Sequence, residues 1–143
     1  MKHITSVNQI PILSEVVYLI EIDGVLLHAR DDKGYFTSSD TIDWFNKLVS
    51  TVGSEQVIIL TNRHMLQYRN TILDLTSNNI NLGNVRIIFT SDKTDWIKDY
   101  QSLLDHTIIV VDDTYHQLRN IEDISSKITC YHANIAFELM PPN

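Results

Sequence analysis

"VVYLIEIDGVLLHAR", residues 16–30, is an apolar run that closes on two carboxylates, Glu21 and Asp23, with Gly24 immediately behind them. From Val16 to Ile22 only Glu21 interrupts a β-branched, leucine and aromatic stretch, so a strand here is covered on both faces. Four further runs have the same character: "QVIIL" (56–60), "NVRIIFT" (84–90), "HTIIVV" (106–111) and "KITCYH" (127–132). Between them lie segments of helical period. In "SSDTIDWFNKLVSTV", residues Ile42, Phe45, Leu48, Val49 and Val52 share one face behind Ser38 or Ser39 as N-cap. Met65, Tyr68, Ile72 and Leu75 repeat the pattern, Trp96, Ile97, Leu103 and Leu104 mark a third helix, and Leu118 with Ile121 a fourth. Doubly apolar strands joined through helices predict an α/β fold, a doubly wound, Rossmann-like parallel sheet of five strands with helices on both faces.

The 143 residues, 43% hydrophobic and 20% charged, suit one domain with a substantial core. Residues 1–15 read as an N-terminal extension and 134–143, with "FELMPPN", as a C-terminal tail. A net charge of −7 repels a phosphate backbone, so non-specific nucleic-acid binding is not expected. Cys130 is the only cysteine, which leaves no intramolecular disulfide and fits a reducing compartment. No stretch reaches the roughly 18 apolar residues of a membrane span, and "MKHITSVNQIPIL" lacks the apolar core of a signal peptide. A cytoplasmic chain with no membrane partner is the expectation. Oligomeric state is not legible.

In open parallel sheets, ligands bind beyond the carboxyl ends of the strands. Four of those ends carry chemistry-bearing residues: Glu21 and Asp23; Thr61, Asn62 and Arg63; Ser91 to Lys93; Asp112 and Asp113. Any one of these carboxylates could be a helix cap or a solvated turn residue. Converging on one rim, they repel one another unless a cation intervenes, and hard oxygen ligands suit Mg²⁺. A lysine and a hydroxyl beside that ion complement a phosphoryl group, so a phosphorylated substrate is expected. Arg63 and Lys98 read as solvated helix residues, Trp44 and Trp96 as core, and His64 and His116 as neighbours of the rim.

The order "EIDGVLL", "VIILTNR", a lysine, then "IIVVDD" resembles the haloacid-dehalogenase-like superfamily across residues 16 to 132. Its first motif is a strand ending in Asp-x-Asp-Gly-Thr/Val-Leu. The resemblance implies strand order 3-2-1-4-5 and a Mg²⁺-dependent phosphohydrolase. It places Asp23 as acid/base, Thr61 as the phosphate-binding hydroxyl with Asn62 beside it, and Asp112 and Asp113 as the metal-binding pair. Lys93 is the preferred phosphate lysine and Lys98 the alternative. "HARDDKGYFTSS" resembles the hairpin flap of that family, and neither it nor the segment before "HTIIVV" has room for a cap domain. An open site for large or extended substrates follows. The departure is Glu21, which stands where the family has its nucleophilic aspartate. Glu21 retains the charge and oxygens to join Asp23, Asp112 and Asp113 on the metal, while its extra methylene displaces the attacking atom. Weak or specialised phosphatase activity is one expectation, and a non-catalytic phosphate-binding module is the other. A response-regulator receiver, which uses similar residues, carries them in a different chain order.

Overall fold

The computed structural model describes residues 1–31 and 34–135. Its elements are β1 (Lys2–Ile4), β2 (Val16–Ile20), β3 (His28–Ala29), β4 (Tyr35–Phe36), α1 (Ser39–Val52), β5 (Val57–Thr61), α2 (Tyr68–Thr76), β6 (Arg86–Phe89), α3 (Lys93–Asp99), β7 (Thr107–Asp112), α4 (Tyr115–Glu122) and β8 (Ile128–Ala133). Six of the strands form a parallel sheet in the order β1-β8-β7-β2-β5-β6, and β3 and β4 pair separately as an antiparallel hairpin.

The central strand shows why this is an α/β fold. All five residues of β2 are buried, and they alternate between two apolar clusters. Tyr18 and Ile20 join Trp44, Phe45 and Leu48 of α1 and Leu75 of α2 on one face. Val17 and Leu19 join Ile97 of α3 and Leu118 and Ile121 of α4 on the other. Period two along the strand meets period 3.6 on the helices, so each helix buries one stripe against one side of the sheet. Both tryptophans pack as expected. Trp44 donates its ring N–H to the Ile10 carbonyl at 3.3 Å, and Trp96 lies against the second cluster.

The sheet has six strands where five were expected. The extra one, β1, falls in the predicted extension. Lys2, His3 and Ile4 pair with Tyr131, His132 and Ala133, and the Met1 amine lies 3.2 Å from Glu122. Three residues with only Ile4 buried carry no periodicity, so this strand exists through its partner β8. Two helices also differ from expectation. Met65–Gln67 forms a 3₁₀ turn ahead of α2, and α3 stops at Asp99, leaving Leu103 and Leu104 in a separate 3₁₀ segment, Gln101–Asp105. Ser38 is the cap of α1, its side chain accepting from the Thr41 N–H.

In the flap-like segment, Arg30 N–H bonds to Gly34 O, while Asp32 and Lys33 of "DDKG" lie outside the described residues. So does "FELMPPN". Among the described residues no helix is long and apolar enough to cross a membrane.

Candidate functional site at the carboxyl ends of the strands

Strands β2, β5 and β7 are neighbours, and each ends on, or one residue before, a polar residue of the expected set. Glu21, one residue past β2, is 5% exposed, a burial that an ionised carboxylate tolerates only with partners. It has three. Its Oε1 accepts the N–H of Ile22 at 2.6 Å, and its Oε2 accepts the N–H of Asn62 at 3.2 Å and the Lys93 ammonium at 2.6 Å. The extra methylene of the glutamate is taken up by this fold-back onto the next amide, which draws the carboxylate towards the main chain.

Lys93 opens α3 behind Asp92, whose side chain caps the helix by accepting from Asp95 N–H. At 2% exposure it is among the most buried side chains of the protein, and it bridges Glu21 and Asp112. Asp112, the last residue of β7 and 1% exposed, also accepts the N–H of Thr114 at 2.9 Å. Lys98, in the last turn of α3, is exposed, so of the two candidate lysines the buried one is Lys93.

Thr61 is fully buried at the end of β5, and its hydroxyl accepts the Arg63 N–H at 3.1 Å. Asn62 donates its side-chain N–H to Thr90 O at 2.8 Å and accepts from Gln117 of α4 at 2.7 Å. These bonds tie the loop after β5 to the end of β6 and to α4. His64 caps the turn that follows, accepting from Leu66 N–H.

Asp113 sits against Gly24. That glycine has φ +83, and a Cβ built on it would lie 2.1 Å from the Asp113 carboxylate oxygen. Both the backbone angle and the close approach therefore require glycine in the turn after β2.

Asp23 is placed differently from the other three carboxylates. Arg63 donates to both of its oxygens at 2.9 Å. Arg63 was read as a solvated helix residue; its side chain is 8% exposed and also donates to Asp74 at 3.0 Å and Thr71 at 3.2 Å. The partners are distant in the chain, which is why charge and local pattern concealed them. The only local signal was its position, two residues past a strand end that already carried a hydroxyl and an amide. His28, in strand β3 of the hairpin, is buried, and burial lowers its imidazole pKa against the opposing pull of Asp23.

Comparison with protein-family models, curated proteins and solved structures finds no match.

Glu21 and Asp112 share one ammonium, Lys93, and Asp113 lies within the field of both carboxylates. Its pKa is pushed up to about 6, by desolvation first and then by the Asp112 and Glu21 charges. Among the described residues no three His, Cys, Asp or Glu side chains are already arranged to hold a metal ion, because Glu21 and Asp112 close around the lysine. The donor chemistry nevertheless fits a hard divalent cation: oxygen ligands carrying excess negative charge.

The raised Asp113 value has a consequence for stability in chelator-treated protein. The folded state binds this proton more tightly than the unfolded chain, whose carboxyl titrates near 3.8, so the group weakens the fold as pH rises from about 4 through about 6. Asp113→Asn should therefore raise the melting temperature at pH 7.5 and lose that advantage at pH 4. A variant that is less stable at both values would show that the carboxylate is held by favourable contacts instead.

Proposed function

We propose that the chain is a Mg²⁺-dependent phosphohydrolase of the haloacid-dehalogenase-like type, acting on a phosphate ester, with Glu21 in the nucleophile position. The observation that carries this reading is the meeting of Lys93 Nζ and Asn62 N–H on one oxygen of Glu21, at the carboxyl end of the central strand. Positive donors focused on a buried carboxylate form a cradle for phosphoryl oxygens, and in a site shielded from water such donors act strongly. The run β6-β5-β2-β7-β8 within the sheet supports the same reading, since it is the strand order that the resemblance implies. So do the connections: a two-stranded hairpin after β2, and a short helix with a 3₁₀ segment between β6 and β7, which suit a capless, open site and a large or extended phosphorylated substrate.

Asp113, with Glu21 and Asp112, would hold the Mg²⁺, whose chemistry is to neutralise the phosphoryl charge. Thr61, Asn62 and Lys93 would orient the phosphoryl oxygens, and Asp23 would exchange a proton with the departing oxygen. The alternative, a phosphate-binding module without turnover, is favoured by one observation: the oxygens of Glu21 and Asp23 are all engaged by other groups.

Hydrolysis of p-nitrophenyl phosphate, with millimolar Mg²⁺ and with chelator, tests the reading; slow turnover that requires Mg²⁺ is expected. The same ion should raise the melting temperature, because a ligand bound only by the folded state stabilises it by mass action, and Asp113→Asn should remove most of that rise. Mg²⁺-dependent stabilisation without turnover would favour the module. Neither effect would leave the rim a buried charge network and nothing more.

A further inference from the structure

The Arg63 side chain lies buried beside the rim, bonded to both oxygens of Asp23. We infer that Arg63 is a positioning residue for Asp23, fixing the direction of its carboxyl group and receiving the charge left there when the proton departs. This rests on the phosphohydrolase reading and assigns a residue that the resemblance does not.

Four contacts make the guanidinium a fixed object. It forks onto both oxygens of Asp23 at 2.9 Å through Nε and Nη2, and its Nη1 donates to Asp74 at 3.0 Å and Thr71 at 3.2 Å. Tyr35 of β4 covers it, with 4.6 Å from the guanidinium carbon to the ring centroid. Three elements thus converge on one side chain: the turn after β2, helix α2 and the hairpin. The side chain is 8% exposed, while Asp23 is 46% exposed, so the outer group can face a ligand and the inner one cannot without leaving both carboxylates. Arginine suits the role because its planar fork matches a carboxylate and a lysine's single ammonium does not. The hydrogen bonds to Asp23, more than anything else, raise the pKa of Arg63, so it stays charged throughout.

A Glu21 oxygen forms a bond to phosphorus as the bond from phosphorus to the ester oxygen breaks, and that oxygen takes the proton of the Asp23 carboxyl. The Asp23 carboxylate so produced is the species the fork matches, both oxygens accepting. Water then attacks the phosphorylated glutamate, its proton passes to Asp23, and inorganic phosphate and the Glu21 carboxylate are regenerated. A donor already in place where charge develops lowers the barrier without reorganisation at the moment of reaction.

Leaving groups distinguish this role from a structural one. Phenyl phosphate needs a proton on its departing oxygen, whereas 2,4-dinitrophenyl phosphate leaves as a stable anion. Arg63→Lys should lower kcat for phenyl phosphate by about 100-fold, the lower end of what a placed acid contributes. It should lower kcat for 2,4-dinitrophenyl phosphate by less than ~10-fold, the remainder being the part of catalysis that needs no acid. Asp74→Asn, which keeps the fork and loosens its outer anchor, should show the same selectivity at smaller size, and serves if Arg63→Lys does not fold. Equal slowing of both esters in the variants overturns the positioning role and leaves the phosphohydrolase reading intact. No turnover of either ester by the wild type or by Glu21→Asp overturns both.

Discussion

Replacing Lys93 by methionine should cost about 3–5 kcal/mol of folding stability, the range seen when one member of a buried ion pair is removed. The volume of the side chain is nearly preserved, so packing is not the source of the loss. The source is two carboxylates, Glu21 and Asp112, 5% and 1% exposed, that keep their burial and lose the cation between them. The partners left are the Ile22 and Asn62 N–H groups for the one, and the Thr114 N–H with the Asp113 carboxyl for the other. Those bonds do not cancel a net charge in a low-dielectric setting. Since whole domains are stable by about 5–15 kcal/mol, the variant should sit near the limit of folding. Urea titration followed by far-UV dichroism measures the effect, read from the midpoint provided the slope is unchanged. The triple variant Lys93→Met, Glu21→Gln, Asp112→Asn should recover a large part of the loss, because it removes the charges together with their partner. A loss below ~1 kcal/mol would place the ammonium in the solvated class of surface pairs and remove the cradle from the proposed site.

That network also shows how far the sequence could be read. The apolar run from Val16 to Ile20 carried the architecture, because a strand buried on both faces has few ways to be covered. The rule that strand ends face the ligand then singled out Glu21, Thr61, Lys93 and Asp112, residues from distant parts of the chain, and the structure buries all four. What escaped was information held by a partner rather than by the residue. Strand β1 is three residues whose register is set by Tyr131, His132 and Ala133, with no pattern of its own. Arg63 looks solvated until Asp23, Asp74 and Tyr35 are brought to it from 40, 11 and 28 positions away. Glu21 was legible as a departure from a motif, but its fold-back onto Ile22 N–H is a rotamer choice that only packing decides.

Glu21→Asp should raise phosphatase activity by about 100-fold, the scale on which a misplacement of ~1 Å acts on a reacting atom. In the wild type the extra methylene lets Oε1 turn back to the amide of Ile22 while Oε2 stays with Lys93 and Asn62, so neither oxygen is directed outward at a phosphorus. Aspartate, one carbon shorter, does not make that turn. It can keep one oxygen near Lys93 and leave the other free to attack, and a nucleophile held at the right distance gains most of what orientation can supply. The increase should appear in kcat for p-nitrophenyl phosphate, with the Mg²⁺ requirement unchanged. Adding Asp23→Asn to that variant should abolish the gain on phenyl phosphate, since the departing oxygen then has no proton donor. The opposite result has a definite meaning. A wild type that turns over phosphate esters well and is slowed by Glu21→Asp would have a site rebuilt around glutamate, with the Ile22 bond as the device that sets its reach. If neither chain hydrolyses any ester while Mg²⁺ still raises the melting temperature, the carboxylates and Lys93 hold a phosphoryl group without breaking it. The fold-back of Glu21 is then what keeps the module from reacting with the ligand it binds.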